Sequence, residues 1–210
     1  MLMPATNVEL SKKELELVVN SEFILTKNRI IQKVYDLFGL LSEDFRKTLN
    51  NFSNSLPAEA HLSSPKIYKG ENYLYLPYVM MDYPRFFNKN DAFAIRCFFW
   101  WGNYFSITLQ LSGKFFKQYK TVLSQFIKDK QHEAYFICVS ASQWEHHFEE
   151  SNYKPFKAIS SAAILEKEFL KIAARLPLNN WNDAEIFFKK QYREFIEMLV
   201  KGSASHFPEG

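Results

Sequence analysis

Glycine is scarce in this chain, 6 residues in 210. That scarcity leaves little room for a phosphate-cradling loop, and no glycine-rich nucleotide motif is present. Cysteine occurs twice, as Cys97 and Cys138, each within an apolar run. Two such residues make no disulfide scaffold; they read as small reduced core residues of an intracellular protein. No serine sits in a nucleophile-elbow pattern, which speaks against a hydrolase of that type. No stretch reaches the ~18 uncharged apolar residues of a membrane span. The first ten residues, MLMPATNVEL, lack the basic-then-apolar pattern of a secretory signal. The expected location is the cytoplasm, with no membrane partner. A dominant charge is missing too: 26 Lys and Arg against 23 Asp and Glu leave +3. Without basic clusters, so mild a balance argues against a nucleic-acid partner.

What the chain has in plenty is aromatic rings. They make up 17% of the sequence, with 21 phenylalanines. A ring-rich core explains most of them, and a stacking pocket for a planar ligand is the functional alternative. At this length the chain buries roughly 70% of its unfolded surface, enough for one domain without staples.

The densest aromatic stretch is AFAIRCFFWWGNYFSITLQL, residues 92–111. Gly102-Asn103 suits the positive φ angles of a two-residue hairpin turn. That turn pairs Trp101 with Tyr104, Trp100 with Phe105 and Phe98 with Ile107. One face then carries Ala94, Arg96, Phe98, Trp100, Phe105, Ile107, Leu109 and Leu111. The other carries Phe93, Ile95, Cys97, Phe99, Trp101, Tyr104, Ser106, Thr108 and Gln110. Both are largely apolar, so the hairpin is expected in mid-sheet with a cover on each side.

Ahead of it, Ser11 and Glu14 form a capping box that starts a helix at Lys12. Polarity at Asn20-Ser21 interrupts it. Ile30, Ile31, Val34, Leu37 and Phe38 recur at helical spacing, Gly39 fits a helix end, and Ser42 starts another helix with the stripe Phe45, Leu49, Phe52. Residues 1–53 thus read as a helical layer and 54–65 as a linker. The period then becomes extended. Strands are predicted at 66–69 and 73–81 around a Gly70-Glu71 turn, with Pro77 marking an edge or bulge. A loop, DYPRFFNKN, covers 82–90. After the hairpin, 114–128 is a clear amphipathic helix with lysines on its outer side. A fifth strand follows at 134–139, then a polar segment, then helices at 161–175 and 183–201. The expected architecture is one α+β domain over 1–202, with 66–202 forming the sheet and its packing helices. Its antiparallel sheet of about five strands is a meander of four plus one after a helix. Residues 203–210 read as a disordered tail.

Chemistry concentrates on one charge. Arg96 stands on an apolar face, where a guanidinium must be paired or meet an anion. Asp82 or Glu71 could supply the structural pairing. The functional reading makes Arg96 the contact for a small anionic ligand in an aromatic-walled pocket, with Trp100, Tyr104, Asp82 and Arg85 around it. Phe86-Phe87 on the same loop suggests a lid or a partner contact. Trp144-Glu145-His146-His147 invites a metal reading. Adjacent histidines on a helix point about 100° apart, however, and His146 with Glu150 supplies only two ligands. His61 and His132 are distant in sequence. The reading is therefore a solvated turn, with no metal and no cofactor.

KIYKGENYLYLPYVMMDYPRFF running into FAIRCFFWWGNYFSITLQLSGK (residues 66–114), with Trp144 to Phe148, resembles a family of small soluble bacterial proteins of unknown function. The resemblance implies that these stretches form one folding unit; it carries over no activity, ligand or catalytic residue. Three functions remain open: a binding protein whose aromatic-walled pocket holds a small anionic or planar ligand near Arg96; an interaction or assembly subunit, such as a homo-oligomer, using the N-terminal helices and Phe86-Phe87; or an acid–base enzyme using Asp82 and a histidine. The enzyme is the weakest of the three.

Overall fold

The computed structural model describes residues 8–128, 134–159 and 166–204, with side chains to 201. Seven antiparallel strands form a single sheet: β1 Lys66–Tyr73, β2 Leu76–Phe87, β3 Ala92–Trp100, β4 Tyr104–Ser112, β5 Phe136–Cys138, β6 Tyr153–Pro155 and β7 Phe169–Pro177. Their order across the sheet is β1-β2-β3-β4-β7-β5-β6. The helices are α1 Lys12–Val18, α2 Ser21–Asn51, α3 Ala58–His61, α4 Gly113–Lys128 and, closing the chain, α5 Ala184–Ala204. The class is α+β, as expected, but the sheet has seven strands rather than about five.

Both added strands come from residues whose pattern suggests something else. β6 lies in the segment that reads as polar and irregular. β7 replaces the predicted helix over 161–175, of which 161–165 fall outside the described residues. Helix-forming residues such as Ala173, Ala174 and Leu176 are outweighed here by period-two alternation. Leu170, Ile172 and Ala174 face one side and Lys171, Ala173 and Arg175 the other, and the strand pairs with β4 along its whole length. At the C-terminus α5 runs to Ala204, so the first two residues of the expected tail are helical; 205–210 lie outside the described residues.

α1 opens on the predicted capping box, with Ser11 Oγ accepting the Glu14 N–H and the Glu14 carboxylate accepting the Ser11 N–H at 2.8 Å. Asn20 caps α2 by accepting the Phe23 N–H. The predicted stop at Gly39 does not occur. α2 is one helix of 31 residues, because Ser42 turns its hydroxyl back to the Gly39 carbonyl at 2.7 Å instead of starting a new helix. Ile31, Val34, Phe38, Leu41, Phe45 and Leu49 then form one continuous buried stripe. The stripe packs on α5, with Phe45 stacked on Tyr192 at 3.6 Å and Phe38 edge-on to Phe188.

The first hairpin turns at Leu74-Tyr75, both at positive φ, not at Gly70-Glu71. Gly70 instead lies under the Tyr78 ring, 2.5 Å from where a Cβ would stand. The register shifts between Gly70 and Tyr73, opposite Pro77, so the proline sits at a bulge. β2 continues through the predicted 82–90 loop to Phe87, with a bulge between Asp82 and Arg85 and a cis Tyr83–Pro84 bond.

The central hairpin differs from the two-residue reading by one residue. Trp101-Gly102-Asn103 forms the loop, with Gly102 at φ +74° and the Asn103 N–H donating to the Trp100 carbonyl. Trp100 therefore opposes Tyr104, Phe99 opposes Phe105 and Arg96 opposes Thr108. A slip of one register position exchanges the faces of a whole strand. Phe93, Ile95, Cys97 and Phe99 now share a face with Phe105, Ile107, Leu109 and Leu111, and α2, α4 and α5 all cover it. α2 is thus on the same face as the other helices. The opposite face carries Arg96, Phe98, Trp100, Tyr104, Ser106, Thr108 and Gln110. It is covered by the 139–152 segment.

Candidate functional site

The polar face of the sheet centres on Arg96, 6% exposed, and Asp82, 4% exposed. The two are direct cross-strand partners. Arg96 Nε donates to Asp82 Oδ1 at 2.6 Å and NH2 donates to Oδ2 at 2.9 Å. Burial works against the guanidinium's charge, but Asp82 outweighs it and holds Arg96 above its usual range. The Tyr68 hydroxyl lies 3.4 Å from Asp82 Oδ2. The third guanidinium nitrogen, NH1, lies 3.3 Å from His146 Nε2. His146 is pushed well below the usual imidazole range by burial and then by Arg96 and Lys171. The neutral ring accepts from Arg96.

His146 reaches this centre because the 139–152 segment is tied down at several points. Tyr73 Oη accepts the backbone N–H of both His146 and His147, at 2.7 and 3.0 Å. Tyr104 Oη donates to the His146 carbonyl at 3.3 Å. Asn152 Nδ2 donates to the His147 carbonyl at 2.6 Å, and Gln110 bonds Gln143. Phe148 stacks on Tyr153, with the Arg175 guanidinium over its ring at 5.2 Å.

Lys171, on β7, adds a second buried cation. It has no exposed surface, its ammonium donates to the Glu145 carbonyl, and it stands 5.3 Å over the Tyr153 ring. Burial pulls it down to about 8. The face thus holds two buried basic side chains and one carboxylate.

The residues singled out from the sequence divide around this centre. Arg96, Asp82, Trp100 and Tyr104 share the face. Trp100 Nε1 donates to the Tyr73 carbonyl at 3.1 Å, and the Trp100 and Tyr104 rings meet edge-on at 5.6 Å. Rings of Tyr73, Phe98, Trp100 and Tyr104 pack on one another and on Met80. Arg85 turns away: its N–H donates to Ser63 Oγ and its Nε to the Ser64 carbonyl. Phe86 packs edge-on to Phe115 on the helical side, while Phe87 lies beside Trp144 and 6.0 Å from the Arg96 guanidinium carbon. Asp82 faces Arg96 and Tyr68 rather than a histidine. His146, expected in a solvated turn, is half-buried against the sheet. His132 lies outside the described residues. Among the described residues, no three His, Cys, Asp or Glu side chains cluster as a metal site would require. No helix among them is long and apolar enough to cross a membrane.

Lys171 escapes sequence reasoning because its strand reads as a helix. The alternation of Leu170, Ile172 and Ala174 is the signal that could place it. A second feature is legible only in part. A cleft of about 700 Å³ opens between the start of α4, the β2–β3 turn and the start of β7. Lys89, Lys114, Lys117, Lys120 and Lys167 line it, against Asp91 and Glu168. The sequence displays the α4 lysines; topology brings Lys89 and Lys167 to them. Asp91 is engaged in the wall itself, accepting the Lys114 N–H at 2.8 Å and the Asn88 amide at 3.1 Å, and these bonds hold its carboxyl below the usual range. Lys114 also pairs with Glu59, and Lys167 donates to the carbonyls of Cys138 and Ser140. Lys89, Lys117 and Lys120 complete the basic wall, the last lying 5.8 Å over the Phe116 ring.

No family model, curated protein or solved structure matches this chain.

Proposed function

We propose that the protein is a binding module for a small polyanion, seated in the lysine-lined cleft rather than beside Arg96. The observation that carries this reading is the charge of the walls: five lysines line one concave space against Asp91 and Glu168, and of these Lys114 is paired with Glu59 and Lys167 with two backbone carbonyls. Its volume falls within the ~300–1,000 Å³ of small-molecule sites. Lysines act there as point charges, suited to phosphate groups on a compact ligand. Arg96, by contrast, has both arms of its fork committed to Asp82 and its remaining nitrogen turned to His146. That arrangement supports a structural role, holding the 139–152 segment against the sheet. Through Gln143 and Lys167, the same segment borders the cleft.

Isothermal titration with inorganic phosphate, pyrophosphate and tripolyphosphate tests the proposal. Affinity should rise with ligand charge and fall with added salt. Absence of heat and of any thermal shift with all three, at millimolar concentration and low salt, would rule the reading out.

A further inference from the structure

The polar face of the sheet carries a pair of exposed rings beside the lysine cleft. Trp144 is 54% exposed and Phe87 37%, and their ring centroids lie 6.1 Å apart. The other three tryptophans are buried or half-buried. An indole left open to water is a stacking surface for a planar group. Strand register fixes where the pair stands. Phe87 opposes Ala92, Ala92 opposes Ser112 and Ser112 opposes Phe169, one row across the sheet. Opposed residues share a face, and Ser112 and Phe169 line the cleft. Phe87 thus stands two strand spacings, about 10 Å, from Ser112. The chain ties the rings to the cleft walls twice over: Lys89 follows Phe87 by two residues, and Gln143 directly precedes Trp144. Gln143 Oε1 accepts from Gln110 Nε2 at 2.9 Å, and Ser142 Oγ accepts the Trp144 N–H at 3.2 Å. The indole is therefore carried on an anchored backbone.

We propose, resting on the polyanion reading of the cleft, that its ligand is a nucleotide, with the phosphates among the lysines and the base on the open side of Trp144. A ring platform and a basic wall about 10 Å apart suit the two ends of one molecule, a base joined to its phosphates through a ribose. Phe87 backs the indole, while Lys89, Lys117 and Lys120 meet the phosphate oxygens as point charges. A glycine-rich loop is not needed here, because side chains rather than backbone amides supply the charge. Stacking on an aromatic ring accepts any base. The site accordingly separates nucleotides from inorganic polyphosphates, not one base from another.

Isothermal titration of the full chain with adenosine triphosphate and with tripolyphosphate, at one low salt concentration, is the test, with tryptophan fluorescence as a second readout. Tripolyphosphate carries no less charge, so the lysines alone give the nucleotide no advantage. A stacked base should make adenosine triphosphate bind about fivefold tighter or more. It should also quench fluorescence, which tripolyphosphate should leave unchanged. Trp144→Ala should abolish the preference and the quench, with tripolyphosphate affinity and melting temperature unchanged. Should that variant fail to fold, Trp144→Phe, which keeps a ring, should retain the preference and lose the quench. Equal affinity of the two ligands for the wild type overturns the nucleotide assignment and leaves the polyanion cleft standing. A preference that survives in Trp144→Ala, or a quench that survives in Trp144→Phe, does the same. Nucleotide binding that Lys117→Ala/Lys120→Ala does not weaken overturns the placement of the phosphates. Binding of neither ligand removes the polyanion reading and the nucleotide with it.

Discussion

Arg96 and Asp82 stand directly opposite each other on β3 and β2, and the guanidinium holds both carboxylate oxygens, at 2.6 and 2.9 Å. A buried pair of this kind stabilises little against an apolar isostere, but removing one member leaves a lone charge in the core. Asp82→Ala should therefore cost about 3–5 kcal/mol, whereas Asp82→Leu/Arg96→Met should recover most of the loss. Urea unfolding of both variants measures this. A double variant as unstable as the single one would show that the pair itself, and not the orphaned charge, sets the cost.

Lys171 makes stability depend on pH in a defined direction. Its ordinary value of 10.5 falls to about 8 in the folded chain, so between these two the unfolded state binds more protons. Stability must then rise with pH across that window, by up to about 1.4 kcal/mol per unit from this group. Other groups titrate in the same range, so the comparison is with Lys171→Met, which lacks the ionisation. The wild type should gain on the variant as pH rises through that window, read as the difference in urea midpoints. A constant difference would mean that Lys171 is not held in its depressed state.

The lysine cleft predicts a graded loss. Lys117→Ala/Lys120→Ala should weaken tripolyphosphate binding about tenfold or more, each lost charge at close range contributing on the order of 1 kcal/mol. Melting temperature should barely move, since Lys117 is exposed and Lys120 only half-buried. Equal affinity of variant and wild type in titration calorimetry would move the ligand away from α4.

Two glycines separate strain from crowding. Gly102 has a φ of +74°, and a Cβ there would meet nothing within 4 Å, so Gly102→Ala should cost only about 1–2 kcal/mol for the backbone. Gly113 combines a φ of +57° with crowding: its Cβ would stand 2.5 Å from the Asn90 carbonyl oxygen and 2.1 Å from Asp91 Oδ1. Gly113→Ala should be clearly the more damaging. It should also weaken polyanion binding, because Asp91 and Lys114 must move. Thermal melts and phosphate titrations of the two variants give the comparison.

Much of this is legible in the residue pattern. The capping box at Ser11, the amphipathic α4 and the sides of β3 all follow from period and cap chemistry. The register of the central hairpin does not, because a turn of two or three residues is decided by loop geometry that Trp101 can enter or leave. One clue is present: Ser106, Thr108 and Gln110 alternate in step, and the polar set belongs with Arg96. β7 is hidden by helix-forming residues whose pairing partner, β4, lies far back in the chain. The lysine cleft is half visible, since no periodicity in α4 can announce that Lys89 and Lys167 arrive beside it.

β7 is the last strand in sequence, yet it separates β4 from β5 and β6. The four-strand meander assembles from neighbours as they emerge, while the β4–β7 ladder must first close the whole of 113–168. Until it does, β5 has no sheet to join and the 139–152 segment has no complete floor. Folding is thus expected to run from one half of the molecule to the other, with the His146 side finishing last. Pulse-labelled hydrogen exchange should show β3 amides protected before those of β5 and β6; simultaneous protection would contradict that order. A newly made chain would pair the meander strands first, Asp82 and Arg96 among them, and close the cover over them only once the final strand had slotted in.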